Sequence, residues 1–520
     1  MKTKFISRSL ITLTITLFVN VFSQTNSQTA QTLSLSPTEI KEYIGFLAAD
    51  KMKGRNTPSP ELDTCANYIS SHFKKWGLKP LGPDESFFQT FNVLKTSLGA
   101  PNSFAVQYPD TQIYYRIKYD FVPVAYTANR EVTAPVVFAG YGITAPEYNY
   151  DDYKNIDVNG KFVMFFTNEP QEKDSLSIFK GAEPTEHSKL TNKLINAQHH
   201  GAAGAIVVTA PLYHRFRKPP NTWPSLMRHA PKNAVPLTFE ENPDNKIVVV
   251  QIGKNLAEKL VSGLGLSIEE LQKNIDNSLT PQSKPIPEIK ITIHTTLKAK
   301  KTPVKNIIGI IPGSDPEMKN QAVIIGAHYD HLGVKNDTII YNGADDNASG
   351  SAGVMALARM FSILKNKPKR SLVFCTWAGE EKGLFGSRYY TGTDPRFPLA
   401  NTTAYINLDM IGRSDSSYVR VSGISSGSLF KELLDKFSKE CKITYANRKG
   451  VSGSDHVSFY SKDVPCLGFN TGLHKDYHKP TDTLEKIDLT GEVRICNLVF
   501  KLAKTLADTS AVPVFKKITE

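Results

Sequence analysis

The sequence predicts an α/β protein, with a mostly parallel or mixed sheet sandwiched by helices and a β-rich insertion interrupting it. Three observations carry this. From Asn306 onward, short apolar runs alternate regularly with helical patterns, as strands covered on both faces by helices require. Between about Gln107 and Thr296 the texture changes, with Val136–Gly142 reading as a strand and turn and Gly160–Phe166 as a buried strand. Hydrophilic clusters follow the apolar runs: Ala327-His328-Tyr329-Asp330-His331, Asn342-Gly343-Ala344-Asp345-Asp346-Asn347, Gly379-Glu380-Glu381, Asn407-Leu408-Asp409 and Tyr477-His478. Acids and imidazoles are thereby collected at one sheet edge, where open α/β sheets bind ligands.

The elements follow in order. Lys2, Lys4 and Arg8 precede an apolar run from Leu10 to Phe22, and Val21 and Ser23 offer a cleavage site. This reads as a secretory leader over residues 1–23, too short for a comfortable span, and implies a secreted or periplasmic protein with no stable membrane span after cleavage. Ser36-Pro37-Thr38-Glu39 marks a helix start, with Ile40, Ile44 and Leu47 at helical spacing. Pro58 to Trp76 is a second amphipathic helix, and Phe87, Phe88 and Phe91 indicate a strand. These belong to a first part, 24–106. In the segment 107–296, Lys189 to His200 reads as a helix and Gly204–Val208 as the strand after it. In 297–520, strands are expected at Ile307–Ile311, Ala322–Ala327, Leu372–Thr376, Ala404–Leu408, Val419–Val421 and Val464–Asn470. Helices are expected at Ser351–Leu364, Leu429–Cys441 and Ile495–Leu506.

Composition narrows the function. The chain has 520 residues, 40% apolar and 22% charged, as in an ordinary globular protein with ample core. The net charge of +12 is scattered without a long basic run, so it is solubilising charge and not a nucleic-acid surface. Five cysteines, with no C-x-x-C pair, do not make a disulfide framework. Cys375 lies in an apolar strand run and reads as a buried small hydrophobe.

His328, Asp345, Glu381, Asp409 and His478 form a candidate ligand set for one or two divalent cations. Imidazole with carboxylate suits zinc, whereas magnesium and calcium prefer oxygen alone. Two cations about 3.5–4 Å apart need a carboxylate between them. With Asp345 in that place, each cation receives one His, one acid and a shared oxygen. Glu380, adjacent to a ligand, is then placed to act as a general base. Asp330, two residues beyond His328, is positioned to accept the free ring N–H and fix the tautomer.

These stretches, with Gly383-Leu384-Phe385-Gly386-Ser387 and His478-Lys479-Pro480-Thr481-Asp482-Thr483, resemble the co-catalytic zinc exopeptidases of the bacterial leucyl aminopeptidase type. The resemblance covers about Asn306 to Leu506. It implies two Zn2+ per chain, one on His328 and Asp409 and the other on Glu381 and His478, bridged by Asp345, with Glu380 as general base. It also implies a cis peptide at Asp345–Asp346. Ser454-Asp455-His456 is similar to the family's S-D-H loop; three consecutive residues do not make a nucleophilic triad, and His456 is expected to donate to the tetrahedral oxyanion. Phe46-Leu47-Ala48-Ala49-Asp50-Lys51-Met52-Lys53-Gly54-Arg55 resembles the family's N-terminal segment. Ala139-Gly140-Tyr141-Gly142, Tyr150-Asp151-Asp152-Tyr153 and Gly201-Ala202-Ala203-Gly204-Ala205 resemble a protease-associated domain inserted at 107–296.

The expected activity is that of a secreted aminopeptidase acting on peptides with a free N-terminus through a metal-bridging hydroxide. Two related enzymes are alternatives. A glutamate carboxypeptidase-like enzyme needs a cationic subsite, for which Arg413 and Arg388 are available. A glutaminyl cyclase-like enzyme uses a single zinc. An alternative of another class is a receptor-like binding protein that keeps the fold without full catalysis.

Overall fold

The computed structural model describes residues 34–518 apart from 125–126, 173, 175, 180, 182–183, 213–237, 240–246, 415–417, 440, 446–450 and 452. The leader expected at 1–23 lies outside the described residues. No described helix is long and apolar enough to cross a membrane.

Four strands form the centre of the larger sheet, in the order Ser371–Trp377, Ala322–His328, Thr402–Leu408, Cys466–Asn470, each parallel to its neighbour. The first three are buried along their whole length and the fourth up to Asn470. That burial explains their unbroken apolar runs. The flanks turn antiparallel. Leu297–Ile311 pairs with Ser371–Trp377 on one side and Phe88–Leu98 on the other, while Tyr418–Ser422 runs against Cys466–Asn470. The sheet is therefore mixed, parallel at its centre and antiparallel at both flanks.

Helices cover both faces. Pro37–Leu47 starts at Ser36, whose hydroxyl accepts the Glu39 amide, and buries Ile40, Ile44 and Leu47. Pro60–Lys75 is capped likewise by Ser59. Gly350–Ser362 is buried almost throughout, and Leu489–Asp508 starts at Asp488, which accepts the Gly491 amide. All five cysteines are buried and none forms a disulfide.

A second sheet is built from Ser103–Gln107 through Lys284–Thr295, in the order Gln112–Tyr115, Ser103–Gln107, Lys284–Thr295, Arg130–Phe138, Phe162–Phe166, Gly204–Val208, Val248–Ile252, Phe121–Pro123. It has its own apolar clusters on its two faces. Its first strand begins at Ser103, a few residues before the expected boundary. Asp152 ties its turns together: one carboxylate oxygen accepts the amides of Tyr141 and Ile143, and the other the Tyr150 hydroxyl. The chain enters and leaves this sheet side by side, since Leu98 and Leu297 are partners across the two strands that lead to it.

Candidate metal centre

The carboxyl ends of the four parallel strands converge on one cluster. Ala322–His328 ends in His328, Ser371–Trp377 leads to Glu380 and Glu381, Thr402–Leu408 is followed by Asp409, and Cys466–Asn470 leads to His474 and His478. His328 Nε2 lies 3.4 Å from Asp409 Oδ1, 3.5 Å from Asp346 Oδ1 and 3.9 Å from Glu380 Oε2. On the other side, His478 Nε2 lies 3.1 Å from Asp346 Oδ2 and 3.3 Å from Glu381 Oε2. His331 Nδ1 donates to Glu381 Oε1 at 2.8 Å.

The carboxylate between the two imidazoles is thus Asp346. This corrects the expectation for Asp345. The Asp345 carboxylate turns away, accepting the Gly412 amide at 2.7 Å and facing His474 Nε2 at 3.0 Å. The cis peptide is likewise one residue later, at Asp346–Asn347. The loop's supports explain the register. Asp482 Oδ2 accepts the amides of both Asp345 and Asp346, and Asn347 Oδ1 accepts those of Gly350 and Met410. With both amides drawn to one carboxylate, the neighbouring side chains are sent to opposite sides.

Arg55 locks this loop to the His328 strand. It is fully buried, and its guanidinium donates to the carbonyls of Tyr329, Leu47, Asn342 and Gly343. Sequence reasoning quoted Arg55 only within a resembling stretch; its role lies in contacts 274 to 288 residues away, to which no local pattern points. Asp346, Asp482, His331 and His474 were also missed. A doublet of aspartates gives no local sign of which one faces the site.

Asp330 departs from its expected role. His328 Nδ1 is 3.2 Å from the Asp330 backbone carbonyl and 3.7 Å from its carboxylate. That carboxylate instead accepts the Glu380 amide at 3.1 Å and the Thr57 hydroxyl at 2.9 Å. Because a carbonyl only accepts, Nδ1 carries the proton and Nε2 is aimed at the acids.

Burial and the neighbouring acids set the electrostatics. Burial, with Asp455, Asp409 and Glu381 nearby, pushes the Glu380 carboxyl well above the usual range against the pull of His328. Burial also opposes charge on Glu381, but bonds from His331 and His478 hold its pKa well below that range. Bonds to Asp346 and Glu381 push His478 up to about 10. His456, on the short helix His456–Tyr460, is pushed down to about 4 by burial. Its Nε2 is 3.2 Å from the Ser422 hydroxyl, and its Nδ1 is buried without a hydrogen-bond partner. Ser454 accepts from Asn407 instead, so Ser454, Asp455 and His456 form no triad.

The cluster opens into a cleft of about 310 Å3 whose lining includes His328, Asp346, Glu380, Asp409, His456 and His478. Arg413 is held by Asp476 at 3.0 Å and Asp482 at 3.5 Å, and Arg388 donates to the Gly383 carbonyl. Two groups have ligand atoms close enough to share an ion: His328, Glu380 and Asp409, and His331, Asp346 and Glu381. Asp346 Oδ2, Asp409 Oδ1 and His331 Nε2 are buried without hydrogen-bond partners. Buried carboxylate oxygens beside imidazole nitrogens, Asp346 Oδ2 near His478 and Asp409 Oδ1 near His328, fit a divalent cation, and imidazole with carboxylate fits zinc.

Residues 306–503, the segment that carries every candidate ligand, match the model of peptidase family M28. Leupeptin-inactivating enzyme 1 of Streptomyces exfoliatus is 32% identical over 182 residues, 35% of this chain and 38% of that protein. Leucine aminopeptidase 2 of Trichophyton rubrum is 26% identical over 212 residues, 35% of this chain and 41% of that one. The chain thus spans about two fifths of the curated relatives it matches. The structure of an aminopeptidase from Aneurinibacillus sp. strain AM-1 shares the fold, with a TM-score of 0.52 at 21% identity over 93% of this chain and 95% of that one.

Proposed function

We propose that the chain is a secreted metallo-exopeptidase, a di-zinc aminopeptidase that removes N-terminal residues from peptides with a free N-terminus. The observation that carries this reading is the Asp346 carboxylate, with one oxygen toward His328 and the other toward His478. The names of the two relatives, a leucine aminopeptidase and a leupeptin-inactivating enzyme, support it.

In this reading His328 and Asp409 would hold one zinc and Glu381 and His478 the other, with the Asp346 carboxylate between the two imidazoles. Bound there, zinc would lower the pKa of water and polarise the scissile carbonyl. Glu380 takes the proton of the attacking water and passes it to the leaving amine. Burial and the acids around it raise its pKa above the usual carboxylate range, the direction that makes a carboxylate a stronger base. Asp330 holds the Glu380 backbone in place. His456, kept neutral by burial, is the candidate donor to the oxyanion. The segment around 103–295 is read as a protease-associated domain that filters substrates.

The test is Glu380→Gln with peptide substrates. Zinc content is expected to survive while turnover falls by roughly 10²–10⁴. Near-normal turnover would reject Glu380 as the base. Chelation should abolish hydrolysis, and restored zinc should return it.

A further inference from the structure

Among the described residues that line the cleft, one strong cation has no use in the scheme above. Arg420 lines it together with the acid cluster. Along Tyr418–Ser422 burial alternates, with Val419 and Val421 inward and Tyr418, Arg420 and Ser422 on the other face. The Ser422 hydroxyl touches His456, so that face is the cleft wall. Arg420 also stands opposite Asn470 in the sheet, and Asn470 continues the strand that pairs alongside Leu408, next to Asp409. Two strand spacings, about 10 Å, therefore separate Arg420 from Asp409, the reach of roughly two to three extended residues.

The guanidinium sits on a built seat. A Cβ at Gly472 would fall 2.9 Å from Arg420 Cζ, so the absence of a side chain there lets the guanidinium lie against the backbone. That turn is fixed: the Gly472 amide donates to Asn470 Oδ1, and the Tyr418 hydroxyl donates to the Thr471 carbonyl. Among the described residues, no carboxylate pairs with Arg420. Arg420 itself stays exposed, so its guanidinium is open to a ligand that enters the cleft.

We infer that Arg420 forms a carboxylate-binding subsite in this cleft, which selects peptides bearing a carboxylate one or two residues from the scissile bond. The inference rests on the peptidase reading and deepens it. A guanidinium offers parallel N–H donors that match a carboxylate, and such charge-assisted pairs are strong. The carboxylate has two sources, an acidic side chain or the free C-terminus of a short peptide. Arg413, engaged with two aspartates, is not available for this task.

The experiment uses the zinc-loaded full chain and four dipeptides: Glu-Ala-amide, Ala-Glu-amide, Ala-Ala with a free C-terminus, and Ala-Ala-amide. The wild type is expected to favour at least one carboxylate-bearing peptide over Ala-Ala-amide by tenfold or more in kcat/KM. Arg420→Met should collapse that ratio toward one, and Arg420→Lys should keep part of it. Preference for Glu-Ala-amide or Ala-Glu-amide identifies a side-chain subsite; preference for free Ala-Ala identifies a terminal one. No preference in the wild type, or one unchanged in Arg420→Met, overturns the inference. If none of the four is hydrolysed, the peptidase reading fails, and calorimetric binding of the same peptides decides on Arg420. Tighter binding of the carboxylate-bearing peptides, lost in Arg420→Met, sustains the subsite, and equal binding overturns it.

Discussion

Asp345 and Asp346 are chemically identical neighbours with opposite surroundings. Asp345 faces a backbone amide and His474, while Asp346 faces two imidazoles. Asp346→Asn is therefore expected to lose stoichiometric zinc, whereas Asp345→Asn should retain it while lowering stability. Elemental analysis of the two variants checks this, and zinc loss confined to Asp345→Asn would reverse the assignment. Arg55 acts through the backbone. Arg55→Met leaves buried carbonyls without donors, each costing about 1–3 kcal/mol, so the denaturant midpoint should fall sharply and zinc affinity with it. His456 provides the pH dependence. Its folded pKa of about 4 lies below the ordinary 6.5, so between these values the unfolded chain binds the extra proton. Its contribution is complete above pH 6.5 and is lost as pH falls toward 4, by on the order of 3 kcal/mol. Unfolding curves of wild type and His456→Gln should converge across that window as the pH is lowered. Parallel curves would show that the group titrates normally.

At the scale of elements, the site is a property of strand ends. The sequence displays this because each parallel strand is an apolar run with a hydrophilic cluster shortly after it, as at Ala327-His328 and Leu408-Asp409. Strand direction was less legible. An apolar run does not say whether its partner is parallel, and the antiparallel pairing of Leu297–Ile311 with Phe88–Leu98 joins segments far apart in sequence. The choice between Asp345 and Asp346 was illegible for a related reason, since it depends on Asp482, over 130 residues away. The helix Leu489–Asp508 contributes through its cap. Asp488 accepts the Gly491 amide and its own amide donates to the Gly412 carbonyl, next to the amide held by Asp345. Asp488→Ala should cost about 1 kcal/mol by loss of the cap, read as a lowered Tm.

At the scale of the molecule, two sheets with separate apolar clusters share one chain. Because Leu98 and Leu297 are already cross-strand partners, a short turn can replace everything between them, at the loss of the two-residue edge strand Thr238–Phe239 that pairs with Phe88–Leu98. The shortened chain is expected to fold cooperatively and bind zinc, since the cluster draws no candidate ligand from the removed part. Failure to fold, shown by loss of a sharp melting transition, would mean that the second sheet supports the first.

The placement of sulfur gives such measurements a built-in reporter. Cys65, Cys375, Cys441, Cys466 and Cys496 all lie outside 103–295, and all are shielded from solvent. A thiol reagent added to the native protein therefore reacts only as fast as the zinc-site half breathes open, and is blind to motions of the other half. Comparing its kinetics with whole-chain circular dichroism separates the opening of one half from that of the other without any engineered label.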